Sequence, residues 1–466
     1  MNATLQIIRP VALLCLLMAG CALPPVPDPE LPPRHWLEQA ANETSAAQAM
    51  PVIDFKTESL DFTQCLMLAM RQSPLLHNSA VEMEIASLRT ESAFWSQLPE
   101  LKARFTVTAN ITRNDEDSDD DDYGDTSYRV GFGVSGYNPV AAHFSYEARQ
   151  LMEKMAVLTH CKAVENLAGR IGEVLVRLDT LDRMSVVQNR RPLLADTAVH
   201  YFSLLEPGQE EQSLEYARAR QQVRVAKAMV EKTKAERRML LSSLKLLLGI
   251  PPEEQLRVGG PGAIMEHLLD TDGNNAWETA WEDGVDKRML EVGLKLQDFN
   301  ILLAWSRFMP DTNLDVFTAN ADSSLSGSSE DDVFTSAGLS FPVMDWGNRA
   351  RGVREARLQK TQFAVRERQT RSDFAAAWAH GRQEYEALLA EQALQEENLE
   401  LAKLETRKAK IEYENAVGSM SQVIEKEDRE IDAEIRLVEL QGRLNQWRIK
   451  AIIAGGYLTR ELVNMP

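Results

Sequence analysis

The chain has 466 residues, of which 70 are acidic and 51 basic, and this leaves a net charge of −19. Because so acidic a protein repels phosphate backbones, we expect no nucleic acid as a partner. The seven histidines show no metal-ligand spacing, and neither H-E-x-x-H nor G-x-S-x-G occurs, so we predict no enzyme, no cofactor and no catalytic or metal-binding residue.

The N-terminus resembles an export signal. Arg9 precedes an apolar stretch over residues 11–19, which is too short to span a membrane as a helix, and "LMAGC" ends at Cys21. This ending resembles a bacterial lipobox, which implies cleavage before Cys21 and attachment of lipid such as palmitate to that cysteine. The alternative is an ordinary signal peptide with an incidental cysteine. Ala22, rather than aspartate, follows, and this resembles the pattern of lipoproteins sorted to the outer membrane.

Two segments of alternating polarity flank an acidic run. "ARFTVTANITR" and "SYRVGFGVSGYNP" place apolar residues at every second position, which predicts two β-strands. Residues 113–127 between them include eight acidic side chains, so we predict a long solvated loop. No register of the run has the glycine and glutamate of an EF-hand, and whether the loop binds cations more loosely stays open.

The same arrangement occurs a second time. "TNLDVFTANAD" and "DVFTSAGLSFPV" alternate around another polar loop. Strands of about ten residues with one apolar and one small, polar face are typical of an outer-membrane barrel, although a soluble sheet with one buried face gives the same pattern. Four strands are too few to enclose a lumen, so a barrel requires association of several copies of the chain.

Long helices follow each strand pair. From Asn348 to Ala416 there is no proline, and a continuous helix of that length would measure about 100 Å. The helix after it shows the heptad-like spacing of a coiled coil. Its apolar positions are Ala433, Leu437, Leu440, Leu444, Trp447 and Ala451. Ala219, Val223, Ala226 and Val230 show the same spacing in the first half of the chain.

The two halves form an internal repeat, because "AFWSQLPELKARFTVTAN" resembles "LAWSRFMPDTNLDVFTAN". We therefore divide the chain into six segments: a signal peptide (1–20), a lipid anchor with a Pro-rich linker (21–55), a first repeat (56–250), a linker (251–274), a second repeat (275–457) and a C-terminal tail (458–466).

Two smaller features have ordinary explanations. The G-x-G-x-x-G match at residues 131–136 lies inside a predicted strand, so small residues in a crowded wall explain it better than a nucleotide site. Cys65 and Cys161 remain after Cys15 leaves with the signal and Cys21 becomes the anchor. Two buried free thiols are the simpler interpretation, and a disulfide between them is the alternative.

Three stretches resemble the TolC-like outer-membrane efflux family, in its OprM/NodT-like lipoprotein branch. "FPVMDWGNRARGVREAR" looks like its strand-to-helix junction, "YENAVGSMSQVIEKEDREIDAE" like its periplasmic tip turn, and "LLLGIPP" like the end of its first repeat. The resemblance implies a mainly α fold with transmembrane β-strands, in which a homotrimer forms one 12-stranded barrel and a tunnel of long helices. It also implies an exit duct in the outer membrane of a Gram-negative bacterium, lipid-anchored and extending into the periplasm.

The same resemblance implies partners and a gate. A periplasmic adaptor and an inner-membrane pump would join the duct, and acidic residues would line a narrow ring six and nine residues after the turn glycine. Counted from Gly418, the ninth residue is Glu427, whereas the sixth is Ile424 with Glu425 beside it. Glu427 and, more weakly, Glu425 are therefore candidate gate residues, and a solvated helix face is the alternative.

A second function stays open from the sequence. A lipid-anchored periplasmic coiled-coil scaffold with a soluble sheet would have the same helices and would conduct nothing. The sequence identifies neither the transported substrate nor the energy source of the pump.

Overall fold

The computed structural model describes residues 59–110, 125–204, 210–260, 276–321, 332–341 and 343–455, all within the second of two units, Phe55–Pro466. The predicted signal peptide, Cys21 and most of the acidic run 113–127 lie outside these ranges.

In the described residues, nine helices and four strands follow one another along the chain. They are α1 (Phe62–Gln72), α2 (Pro74–Trp95), β1 (Lys102–Asn110), β2 (Asp125–Tyr137), α3 (Pro139–Gln188), α4 (Arg190–Leu204), α5 (Glu210–Leu248), α6 (Ala276–Asp283), α7 (Val285–Ser306), β3 (Asp311–Ala321), β4 (Asp332–Ser340), α8 (Asn348–Glu414) and α9 (Met420–Ala454). The order helix, strand, strand, long helix thus occurs in both halves.

The four strands form one antiparallel sheet in the order β1-β2-β3-β4. The strands predicted from alternation are confirmed, and their register places the apolar positions of neighbouring strands on one face. Phe105 lies opposite Val130, and Phe132 lies opposite Val316. Among the described strands, β1 and β4 each have one edge without a partner.

The helices form a layer that continues from the sheet. Near the sheet, α2 packs on α3, α3 on α7 and α7 on α8. Farther away, α5 packs on α3 and α4, both of these pack on α9, and α9 packs on α8. The helices α2, α5 and α8 are therefore the outer members of the layer in the described part of the chain.

The long helices follow from their sequences. α8 runs without interruption for 67 residues, as the absence of proline predicts. Between α3 and α4 the helix breaks at Asn189, because Pro192 has no N–H to donate to the carbonyl of Gln188 and its ring disfavours helical backbone just before it. The sequence alone had predicted one long helical stretch here.

The strand-to-helix junction after β4 has its own cap. Gly347 has a φ of 76°, a left-handed conformation that favours glycine. The Asp345 carboxylate accepts hydrogen bonds from the N–H groups of Gly347 (2.9 Å) and Arg349 (3.0 Å). These hydrogen bonds hold the pKa of Asp345 below its usual value and satisfy the first free N–H groups of α8.

The buried core lies between the helices and includes the predicted seams. Ala219, Ala226 and Val230 of α5 and Leu440, Leu444 and Ala451 of α9 are buried. Trp447 stacks on Tyr385 of α8, with ring centroids 4.3 Å apart. Cys65 is buried and Cys161 half-buried, and both are free thiols; burial raises the pKa of Cys65 to about 12, so the thiol is inert.

Candidate functional site

The apolar face of the sheet is exposed in the single chain. Phe105, Val333 and Leu339 are 66%, 67% and 66% exposed, and Val130 and Phe132 are also exposed. No described helix covers this face, because the helix layer continues from the end of the sheet. A contiguous apolar surface of this kind marks contact with a lipid or protein partner.

More apolar side chains surround the end of the sheet where the helices begin. Exposed here are Trp95, Leu98, Leu101, Trp305, Phe308, Phe341, Val343, Met344 and Trp346. Large aromatic residues at one end of an apolar band are typical of a membrane–water interface.

The opposite face of the sheet is mostly polar or small. It carries Thr106, Gly131, Gly133, Ser336 and Gly338, which the register places side by side. A Cβ atom on Gly131 would lie 2.6 Å from Cβ of Phe317, so only glycine fits there. Crowding therefore explains Gly131 and, beside the Asp315 side chain, Gly133, whereas a Cβ atom at Gly136 or Gly338 would have no atom within 4 Å.

At the far end of the helix layer, α8 and α9 form a hairpin with a tight turn. The N–H groups of Val417 and Gly418 both donate to the Glu412 carbonyl at 2.9 Å. Ser419 begins α9 with a capping box, in which its hydroxyl accepts from the N–H of Gln422 and the Gln422 side chain accepts from the N–H of Ser419. This turn lies within the segment predicted as the tip.

The two predicted gate residues lie in the second turn of α9. Glu427 pairs with Lys410 of α8 at 2.5 Å, and its side chain is 26% exposed. Glu425 pairs with Arg429 of its own helix at 2.5 Å, and its side chain is 58% exposed. The structure thus places Glu427 in the hairpin contact and Glu425 on an open helix face.

The next four carboxylates of α9 pair with two arginines that begin α4. Arg190 lies 3.5 Å from Glu430 and 2.5 Å from Glu434. Arg191 lies 3.2 Å from Asp428 and also pairs with Asp432. With Glu425 and Glu427, every carboxylate from 425 to 434 has a basic partner, and all these ion pairs except that of Glu425 join α9 to α8 or to α4.

Burial changes the acidity of one member of this cluster. Desolvation raises the pKa of Asp428 above its usual value, while Arg191 opposes the shift and Asp432 adds to it. Since burial favours the neutral acid, ionised Asp428 weakens folding at high pH, and this penalty disappears as the pH falls through its pKa.

The contacts of Arg190 and Arg191 were not predicted from the sequence, and those with Glu434 and Asp432 bridge 244 and 241 positions of the chain. A signal was present, because the carboxylate pairs Asp428–Asp432 and Glu430–Glu434 are spaced by four and each share a helix face. The basic partner, however, is fixed only by how α4 packs on α9.

Three further predictions concern the lipid-attachment cysteine, metal sites and membrane-spanning helices. Cys21 lies outside the described residues. Within the described ranges, no three His, Cys, Asp or Glu side chains come together as a metal site. No described helix has both the length and the apolar character needed to cross a membrane.

No protein-family model matches the sequence, and no curated protein is recognisably similar to it. Solved structures do match, at low identity. The outer membrane protein VceC of Vibrio cholerae is 14% identical, with a TM-score of 0.68 over 85% of this chain and 96% of that chain. A membrane protein from Pseudomonas aeruginosa is 17% identical, with a TM-score of 0.73 over 88% and 95%.

The MtrE outer membrane channel of Neisseria gonorrhoeae, in its open state, is 18% identical, with a TM-score of 0.69 over 85% and 89%. Likeness at such identities concerns architecture, and it extends over nearly the whole length of each of these proteins. The chain therefore has the fold of bacterial outer-membrane channel proteins.

Proposed function

We propose that the chain is the outer-membrane exit duct of a tripartite efflux or secretion system, passing substrate from an inner-membrane pump to the exterior. One observation carries the proposal. A sheet with an exposed apolar face continues into a layer of long helices, and both end in open edges. The fold shared with proteins described as outer membrane channels supports it.

The open edges imply ring closure by copies of the chain. One edge of the unit consists of β1, α2 and α5, and the other of β4 and α8, so the two edges differ. Contact between unlike edges is head-to-tail and closes into a ring when the rotation fits. Two copies would give eight strands, which barely leave room for side chains, whereas three give twelve and a lumen. We therefore propose a homotrimer.

The exposed side chains on the edge helices support this closure. α8 exposes Leu394, Leu401, Leu404 and Ile411 at intervals of seven, three and seven residues. α5 exposes Leu214, Val225, Met229, Met239 and Leu246. Such apolar stripes on the free side of an edge helix are typical of coiled-coil contacts with another chain.

The barrel would stand in the outer membrane of a Gram-negative bacterium, with its apolar face towards lipid and the helices in the periplasm. At about 1.5 Å per residue, α8 alone measures about 100 Å. Cys21 would carry palmitate as an added anchor. The hairpin tip would meet a periplasmic adaptor and the pump, with Glu427 and secondarily Glu425 at the gate.

The faces of β1 provide the test, because neighbouring residues point to opposite sides. Phe105→Asp places a charge on the proposed lipid face, so the amount of trimer recovered from outer membranes should fall strongly. Thr106→Asp lies opposite Arg129 on the polar face and should be tolerated. Membrane fractionation and negative-stain electron microscopy of detergent-extracted protein provide the measurement.

Wild-type particles should be threefold, with a hollow stem on the order of 100 Å. Thin rods without a lumen, or equal behaviour of the two variants, would contradict the duct. That outcome would favour the lipid-anchored coiled-coil scaffold, for which a soluble sheet would have to bury its apolar face against another protein.

A further inference from the structure

Two phenylalanines interrupt the otherwise polar face of the sheet. Phe317 of β3 lies directly opposite Phe334 of β4, and their rings stack with centroids 5.4 Å apart and planes 20° from parallel. The guanidinium of Arg129 lies 4.6 Å from the centroid of the Phe317 ring. The three side chains thus form a cation–aromatic cluster on this face.

The local backbone is arranged around this cluster. Gly131 lies directly opposite Phe317, and the absence of its side chain leaves the space that the phenylalanine occupies. Without that space, Phe317 could not lie beside Arg129, which is two residues from Gly131 on the same face of β2. One side of the stack stays open, since Phe334 is 45% exposed.

We propose that Arg129, Phe317 and Phe334 form a binding site for planar organic anions on the inner wall of the barrel. This inference rests on the proposed function, because the polar face lines a conducting path only in the closed ring. A flat ring would add to the stack on Phe334, while its anionic group would accept hydrogen bonds from Arg129. Threefold symmetry would place three such sites around the lumen.

Arg129 is the residue that favours an anion at this site. The cluster lies about 7–13 Å from the ends of β2 and β4 at Asp125 and Asp332, at about 3.3 Å per residue. The register places Lys102, Arg104 and Arg129 on this face together with Asp125, Asp311, Asp315 and Asp332. Charges of both signs therefore lie on this face, and the guanidinium of Arg129, 4.6 Å from the centroid of the Phe317 ring, is the charged group in contact with the stack.

Single-channel conductance of the purified trimer in planar bilayers tests the site. Naphthalenesulfonate should block the wild-type current, whereas cyclohexanesulfonate, with the same charge but no aromatic ring, and naphthyltrimethylammonium, with the opposite charge, should block far more weakly. Arg129→Gln should weaken the naphthalenesulfonate block by about tenfold and Phe334→Leu by about threefold. Lys102→Gln removes a positive charge from the same face at a position opposite Gly133, one row farther from the cluster, and should leave the block within about twofold of wild type.

The outcomes separate this site from the duct itself. Normal conductance with equal block by all three compounds, or with a block that Arg129→Gln leaves unchanged, would overturn the site and leave the duct standing. An equal loss in Lys102→Gln would mean general electrostatics rather than a site. No conductance by correctly assembled wild-type protein would contradict the duct and, with it, the lumen site.

Discussion

At the scale of single residues, the six carboxylates from Glu425 to Glu434 have very different surroundings. Glu425 is exposed and pairs within its own helix, whereas Glu427 pairs across the hairpin with Lys410. An exposed pair within one helix contributes only about 0.3–0.5 kcal/mol. Of the two predicted gate residues, Glu427 is therefore the one whose carboxylate is fixed in position by the fold.

We predict that Glu427→Gln lowers the preference of the channel for cations over anions, because three copies would lose three carboxylates near the tip. The reversal potential across a bilayer with asymmetric KCl measures this preference. Glu396→Gln, on an exposed part of α8 away from the turn, provides the control. An unchanged reversal potential in the Glu427 variant would place this residue outside the narrow part of the path.

How far such residues can be predicted depends on what fixes their partners. The turn at 415–419 is encoded locally by Gly418 and the Ser419 capping box, so the sequence located the tip. Which side chains meet across the hairpin depends on the rotation of α8 against α9. Glu427 is therefore a candidate only through its distance from Gly418, as the family resemblance implies, and its partner Lys410 was not predicted.

At the scale of elements, alternating polarity predicted the strands and the absence of proline predicted α8, because both signals are local in the sequence. The interruption at Asn189 was missed although Pro192 marks it, since a proline in the first turn of a helix also fits a new start. The packing of α3 on α9 was not predicted from the sequence either. It depends on close approach at Gly442, which leaves room for the Thr180 side chain.

We predict opposite effects for two glycine-to-alanine changes in helices. A Cβ atom at Gly442 would lie 2.4 Å from Oγ1 and 2.8 Å from Cγ2 of Thr180, so Gly442→Ala should destabilise the fold by about 1–3 kcal/mol. At Gly352 the nearest atom, Nη1 of Arg307, lies 3.9 Å away. Gly352→Ala should stabilise α8 by about 0.5–1 kcal/mol.

Thermal unfolding in detergent, followed by circular dichroism, compares these two variants. Thr180→Ala combined with Gly442→Ala should recover part of the lost stability, because it removes the two nearest atoms. If Gly442→Ala alone unfolded at the wild-type temperature, the contact between α3 and α9 would be looser than the structure indicates.

At the scale of the whole molecule, both edges of the described sheet and helix layer are exposed in a single copy. The edge helices carry apolar stripes, and the outer strands each have one edge without a described partner. We predict that Leu401→Glu, at a side chain 56% exposed on the α8 stripe, shifts trimer towards monomer. Arg407→Glu, at an exposed side chain about 120° around α8 from Leu401, introduces the same carboxylate outside the stripe and should leave the trimer intact. Light scattering after size-exclusion chromatography measures the mass.

Monomeric wild-type protein, or equal loss of trimer in both variants, would mean that the α8 stripe is not an interface.

The central strand pair has a consequence for the order of folding. β1 with β2 and β3 with β4 are hairpins of neighbouring segments, but β2 and β3 meet across the repeats, as the hydrogen bond from Thr312 to Tyr137 over 175 positions shows. Closing a loop of that length costs about 4–5 kcal/mol of chain entropy. The hairpins can therefore form early, while their joining must wait until α3 and α7 have docked and shortened the effective loop. Until then each hairpin exposes strand edges that other chains can pair with, so this protein is most prone to aggregation in the interval between synthesis of its first half and docking of its second.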